Sequence, residues 1–251
     1  MKAGNTYKRE QAFALLLIGE PKSGKTTAAL CFPKPFVLDL DNNLAGAIRH
    51  HGDDFDMNEL YFEDLEGVEQ DKRWSAGVLA IKEACASPDV ETIIIDGLSI
   101  MAELLMRHIL ANTKRDSSNS KLIIAGEDCM QMNQWTPFKN LMSGIIMACK
   151  SSGKRLVFLC HEAPLTDKNG AVLSYRPMIP GSLKNNIAGY FTDVWRCESG
   201  VKAQKPFYRI RFAPKSMMQI GNSLGIKDID FDITGKTKTE VWNYLKPHFT
   251  K

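Results

Sequence analysis

The residues best equipped for chemistry are Gly19-Glu20-Pro21-Lys22-Ser23-Gly24-Lys25-Thr26, which fit G-x-x-x-x-G-K-[ST], the phosphate-binding loop. Its two glycines let the backbone bend so that successive N–H groups face phosphate oxygens. A helix opening through Thr27 adds its positive end. In this pattern Lys25 reaches the β- and γ-phosphates and the Thr26 hydroxyl holds Mg²⁺, so ATP with magnesium is the expected ligand. A surface turn rich in small residues is the competing reading, and context decides between them. The apolar run Phe13 to Ile18 leads straight into this loop as a strand. Gly235-Lys236-Thr237 shows the contrast: Asp230 stands where the first glycine belongs and no apolar strand precedes it, so that segment reads as a turn.

Further chemistry sits at the ends of other strand-like runs. Thr92-Ile93-Ile94-Ile95-Asp96 reads as a strand buried on both faces, and Asp96 at its carboxyl end would orient the Mg²⁺ shell. The alternative for Asp96 is a cap on the following helix. Triphosphate hydrolysis also needs a group that orients or deprotonates the attacking water. Gly97 follows Asp96, so no glutamate is available there. The candidate is Asp41, ending the strand Phe36 to Asp41, with Asp39 two residues earlier on the same face as the open alternative. His161 ends the run Arg155 to His161, where it either senses the γ-phosphate or serves as a structural strand-end residue.

The elements that must position these groups alternate. Helical spacing is expected over Trp74 to Ala86, Ser99 to Ala111 and Trp135 to Cys149, the last with Phe138, Leu141, Met142, Ile145 and Ile146 on its apolar face. Asn112 to Ser120 and residues 163–186 read as long polar connections, and residues 52–72 as connection with short elements. Phe191 to Cys197 and Phe207 to Phe212 are expected to pair as a hairpin, and Thr237 with Glu240 makes a capping box for a short helix through Leu245. The expected fold is α/β, a mostly parallel central sheet flanked by helices with a C-terminal antiparallel hairpin. It reads as one domain, with a core over about 12–200 and the extension over 201–251.

Composition narrows the function classes. A chain of 251 residues with formal net charge +3 does not announce a nucleic-acid binder by charge alone. Cys31, Cys85, Cys129, Cys149, Cys160 and Cys197 are scattered without metal-ligand spacing, which suits free thiols in a reducing compartment. The basic start and the run Ala12 to Ile18 are read as the first core strand rather than a secretion signal. The expectation is a soluble, intracellular protein.

In this order the motifs resemble the RecA-type ATPase core, and more narrowly the small phage-encoded RecA-like proteins of the Sak-type single-strand-annealing group. Those motifs are the phosphate loop, Val37-Leu38-Asp39-Leu40-Asp41, Ile93 to Asp96 and the strand Val157 to His161. The resemblance spans residues 12–215. It implies a slow, DNA-stimulated ATPase of phage-type recombination, promoting strand annealing or pairing in the cytoplasm of a bacterial host. It implies single-stranded DNA, other copies of the chain in a ring or filament, and a single-strand-binding protein as partners; no run approaches membrane-spanning length, so no membrane is expected. In that family two loops grip DNA. Carried over, they are residues 112–134 and 163–186, with Lys114, Arg115, Lys121, Lys168, Arg176 and Lys184 on phosphates and Tyr175 stacking on a base. Basic residues of a neighbouring subunit complete such sites, which points to Arg209, Arg211 and Lys215. Two departures stand out: aspartate replaces the usual catalytic glutamate at Asp41, and His161 replaces the usual sensor glutamine.

Other readings use the same core. A helicase or helicase loader fits the same motifs. A small-molecule kinase would need an arginine-rich lid beside the nucleotide motifs, and a partition-type ATPase a lysine where Glu20 stands.

Overall fold

A computed structural model describes residues 13–112, 123–124, 127–128, 130–214 and 220–249. The chain alternates strand and helix through its first half: β1 (Ala14–Gly19), α1 (Lys25–Ala29), β2 (Pro35–Asp39), α2 (Leu44–His51), β3 (Tyr61–Glu63), α3 (Arg73–Ala86), β4 (Thr92–Asp96) and α4 (Leu98–Asn112). The small pair β5 (Ile123–Ile124) and β6 (Glu127–Asp128) precedes α5 (Trp135–Ser151). Then come β7 (Arg155–Thr166), β8 (Val172–Pro177), α6 (Leu183–Asn186), β9 (Asp193–Lys202), β10 (Lys205–Arg211), β11 (Asp230–Asp232) and α7 (Lys238–Phe249).

The large sheet runs in the order β11-β10-β9-β1-β7-β4-β2-β3, with β8 paired to β7. Its strands from β9 to β3 are parallel, while β10, β11 and β8 are antiparallel. This is the expected α/β architecture. Parallel strands need both faces covered, which explains the unbroken apolar runs. Leu16, Ile18, Ile93, Ile95 and Phe158 pack against α3, α4 and α5 on one face, while Leu15, Leu17, Val37, Ile94 and Val157 pack against α1, α2 and α7 on the other. Helix α5 buries Phe138, Met142, Ile146 and Cys149 at helical spacing, but Leu141 stays 43% exposed at the edge of that stripe. On the other face Phe249 of α7 meets Phe13 edge-on at 4.8 Å. Burying such a ring stabilises by about 3 kcal/mol.

Several expected boundaries move, each for a physical reason. β2 ends at Asp39 rather than Asp41, because the Asp39 carboxylate accepts the N–H groups of Asn43 and Leu44 (both 3.1 Å) and turns the chain into α2. β7 runs past His161 to Thr166 and folds back through β8, so much of the expected polar connection 163–186 is a hairpin. No core covers this hairpin, so even its Val172 and Leu173 are exposed. β9 likewise continues to Lys202, so the antiparallel extension begins well before residue 201. The β9–β10 turn holds Ala203 and Gln204 at φ 50° and 62°, left-handed values that usually recruit asparagine and glycine. The capping box at Thr237 and Glu240 forms, and its helix reaches Phe249 rather than Leu245.

Candidate active site

The phosphate loop leaves β1 at the carboxyl edge of the sheet. Lys22 and Gly24 take φ of 64° and 87° there, which bends the loop before α1 opens. Gly19 is forced by close approach: a Cβ would lie 2.6 Å from the Cys197 carbonyl oxygen and from Ser23 Oγ. Glu20, Pro21 and Lys22 are exposed, whereas Ser23 is buried and its hydroxyl has no partner among the described residues.

Lys25 Nζ donates to the carbonyls of Gly19 (3.0 Å) and Glu20 (2.8 Å) and lies 3.2 Å from His161 Nδ1. His161 Nε2 lies 3.2 Å from Asp41 Oδ2. An ammonium facing Nδ1 makes that nitrogen the acceptor, so the proton sits on Nε2 and is donated to Asp41. Burial, reinforced by the Lys25 charge, lowers the His161 pKa and favours this neutral form. Burial also lowers the Lys25 pKa, opposed by groups that include Asp96 and Asp41. Thr26 Oγ1 donates to Asp96 Oδ2 at 2.7 Å. Burial pushes the Asp96 pKa up to about 7, aided by the nearby Asp41 and Asp39 and opposed by the Thr26 hydrogen bond. The structure thus brings Lys25, Thr26, Asp41, Asp96 and His161 together. Asp39 is occupied in capping α2, while Asp41 Oδ1 has no partner among the described residues. The hydroxyl–carboxylate pair Thr26–Asp96 suits a hard cation.

These groups line a cavity of about 690 Å³ together with Pro21, Lys22, Gly24 and Thr27. That volume suits a nucleotide. Beyond the loop the cavity is walled by Asn43 and by Gly46, Ala47 and His50 of α2, and also by Tyr208 and Ile233. Sequence reasoning missed this second wall. The one available signal was the three-to-four-residue spacing of 43, 46, 47 and 50, with the small Gly46 and Ala47 leaving the middle of that face open. Nothing local in the sequence joins Tyr208 to the loop, although its ring lies 3.4 Å from where a Cβ on Gly24 would be.

A family profile described as an AAA domain matches residues 12–225. The chain belongs to the AAA domain family. No curated protein matches this AAA domain. Among solved structures it is similar to the flagellar accessory protein FlaH from Methanocaldococcus jannaschii, at 11% identity and a TM-score of 0.48, over 88% of this chain and 84% of that one.

Of the expected DNA residues, Lys168, Tyr175, Arg176 and Lys184 are described, and none of these lines the cavity. Lys168 occupies the exposed turn of the β7–β8 hairpin, and Lys184 is exposed on α6. Arg176 is exposed on β8 with a guanidinium nitrogen 3.4 Å from Asn185 Oδ1. Tyr175 is half-buried and stacked by Arg196 at 4.5 Å, so one ring face is already occupied. Lys114, Arg115, Lys121 and Lys215 lie outside the described residues.

Arg209 and Arg211, expected to act on a neighbour's site, are instead engaged within the chain. Arg209 stands directly opposite Glu198 in the β9–β10 register, and Arg211 opposite Asp230 in β10–β11. Glu198 accepts from Arg196 (2.6 Å), Arg209 (2.6 Å) and Arg211 (3.0 Å), and Arg196 also pairs with the buried Glu162. Arg211 is only 5% exposed, so its charge serves this ladder. Burial works against ionising Glu198, but hydrogen bonds from Arg211 and Arg209 outweigh it and hold the carboxyl down at about 2. A depressed carboxylate stabilises the fold above its unfolded pKa and loses that contribution as pH falls towards the folded value. Glu198→Gln in this AAA domain should therefore cost about 2 kcal/mol near neutral pH. The difference from wild type should close as pH falls from about 4.5 to 2, read by urea titrations at stepped pH. A constant difference across that window would remove the ladder as its cause.

Proposed function

We propose that this AAA domain binds and hydrolyses ATP and couples that cycle to single-stranded DNA, promoting strand annealing as an oligomer. The observation that carries the ATPase reading is the linked set Lys25–His161–Asp41 beside Thr26–Asp96 in one nucleotide-sized cavity. The loop N–H groups and Lys25 hold phosphate oxygens and orient the terminal phosphoryl. Thr26 and Asp96 would hold Mg²⁺, which neutralises phosphate charge when bound. Asp41 lines the cavity and acts as the acceptor for the attacking water's proton. His161 holds Asp41 in place through Nε2. The base sits between the α2 face and Tyr208 with Ile233.

Support for the DNA reading is the set of exposed cations Lys168, Arg176 and Lys184 on one hairpin and the helix after it. β7 overhangs the phosphate loop by five residues past the Gly19–His161 register, so a load on this hairpin acts on the strand that carries His161. On the second hairpin Lys202 and Lys205 are exposed and unpaired among the described residues, and these cations replace Arg209 and Arg211 as the groups offered to an adjacent subunit.

The test is ATP turnover with and without single-stranded DNA, followed by a strand-annealing assay. DNA should accelerate turnover. Neutralising Lys168, Arg176 and Lys184 together should weaken DNA binding and reduce the slope of log affinity against log salt by about 2. An unchanged slope would take this hairpin out of the interface. DNA-stimulated turnover without annealing would favour a helicase or a loader.

A further inference from the structure

We propose that the outer edge of β3 is a docking surface for the β9–β10 hairpin tip of a second copy of this chain. This contact rests on the oligomer reading given above and supplies its two surfaces. β3 is the last strand of the sheet, and among the described residues nothing pairs its outer edge. Such an edge is a template for another chain unless charge or proline blunts it. Here the successive residues Tyr61 and Phe62 point to opposite faces, and both are exposed, Phe62 at 56%. Met57, just before the strand, is exposed as well. Aromatic residues and methionine inside a charged rim have the composition of an interface core rather than of a solvated edge. The rim carries one sign. Residues 53–71 hold nine acids and no lysine, arginine or histidine. Among the described residues only Glu59 and Glu69 of these acids form ion pairs, with Lys238 at 3.5 Å and with Lys72.

The matching surface lies towards the other end of the sheet. β9 runs five residues past the Gly19–Cys197 register before the turn at Ala203 and Gln204, so the hairpin tip projects beyond the end of β1. Lys205 stands directly opposite Lys202, which puts both ammonium groups on one face. Like charges placed opposite each other destabilise a strand pair, and neither lysine has an acid partner among the described residues. Val201 and Pro206 share the other face, and Val201 is 74% exposed. A tip with two unmet cations and an exposed apolar side complements an apolar strip rimmed by acids.

Single-stranded DNA would satisfy the two lysines, but it would leave Val201 uncovered and would be repelled by the acidic β3 edge. A second copy covers both surfaces at once. One chain cannot make this contact with itself. The strands β1, β7, β4 and β2 stand between β9 and β3, a span of about 24 Å at the usual strand spacing. The contact is therefore head-to-tail, and it builds a ring if its rotation closes and a filament if it does not.

Sedimentation of the full chain should show association that grows with concentration and weakens with salt. Lys202→Glu combined with Lys205→Glu, and separately Phe62→Ser, should each weaken that association about tenfold or more while circular dichroism stays unchanged. Mixing these two variants should give a dimer and nothing longer, because one intact edge and one intact tip remain between them. In wild type, a carbodiimide should join Lys202 or Lys205 to an acid within residues 53–71 of another chain, identified by mixing light and heavy isotopic protein. A wild type that stays monomeric would overturn this contact and the oligomer reading together. An assembled wild type without that crosslink, or assembly unchanged in both variants, would overturn the contact alone and leave the oligomer reading standing. Loss of single-stranded DNA affinity in the lysine variant with unchanged assembly would assign those cations to phosphate, and the contact would fall.

Discussion

Lys25→Ala should lower ATP turnover by at least about 100-fold, the cost typical of removing one preorganised donor from developing negative charge. The expectation rests on where this cation sits. It is 6% exposed and surrounded by the carbonyls of Gly19 and Glu20, His161 Nδ1 and two acids. Such a group is expensive to bury, so its loss should leave the fold intact. The thermal midpoint should stay within a few degrees of wild type while turnover and fluorescent-nucleotide binding both collapse. Undiminished hydrolysis in a folded Lys25→Ala protein would place the site elsewhere.

Asp41→Asn should separate binding from turnover. The amide keeps the shape and still accepts from His161 Nε2, but it cannot take a proton from water. Nucleotide affinity should hold while turnover falls by about 100- to 10,000-fold, the range for loss of a general base. Asp39→Ala is the matched control. It removes the acceptor for Asn43 and Leu44 N–H at the start of α2, which should cost about 1 kcal/mol of stability. Turnover per folded molecule should change far less than in Asp41→Asn. If Asp39→Ala proved the more damaging to chemistry, the roles of the two acids would be exchanged.

The two carboxylates show how far sequence reasoning reaches. They alternate with apolar residues in a strand pattern, so both read as facing one side, and nothing in Val37-Leu38-Asp39-Leu40-Asp41 says where the strand stops. The stop is set by a bond to residues four and five further on. The phosphate loop, Asp96 and His161 were legible because each ends an unbroken apolar run, and parallel strands carry their chemistry at that edge. Arg209 and Arg211 were legible as cations, but their engagement in ion pairs was not, because Glu198 and Asp230 oppose them only once the strand register is known. The same limit hid Tyr208 and Ile233. A wall assembled from residues some 160 positions apart leaves no local pattern.

The place of β1 in the sheet bears on how this protein is made. Its neighbours on either side are β7 and β9, whose residues begin at Arg155 and Asp193. During synthesis at typical rates, about 7–30 s pass between the emergence of β1 from the ribosome and that of its first neighbour. For that interval Ala14–Ile18 is an apolar segment with both hydrogen-bonding edges unmet. The cavity beside the loop is complete only once Tyr208 and Ile233 have been made. The most diagnostic stretch is therefore among the last to gain its partners, and until then it is a natural client for a chaperone.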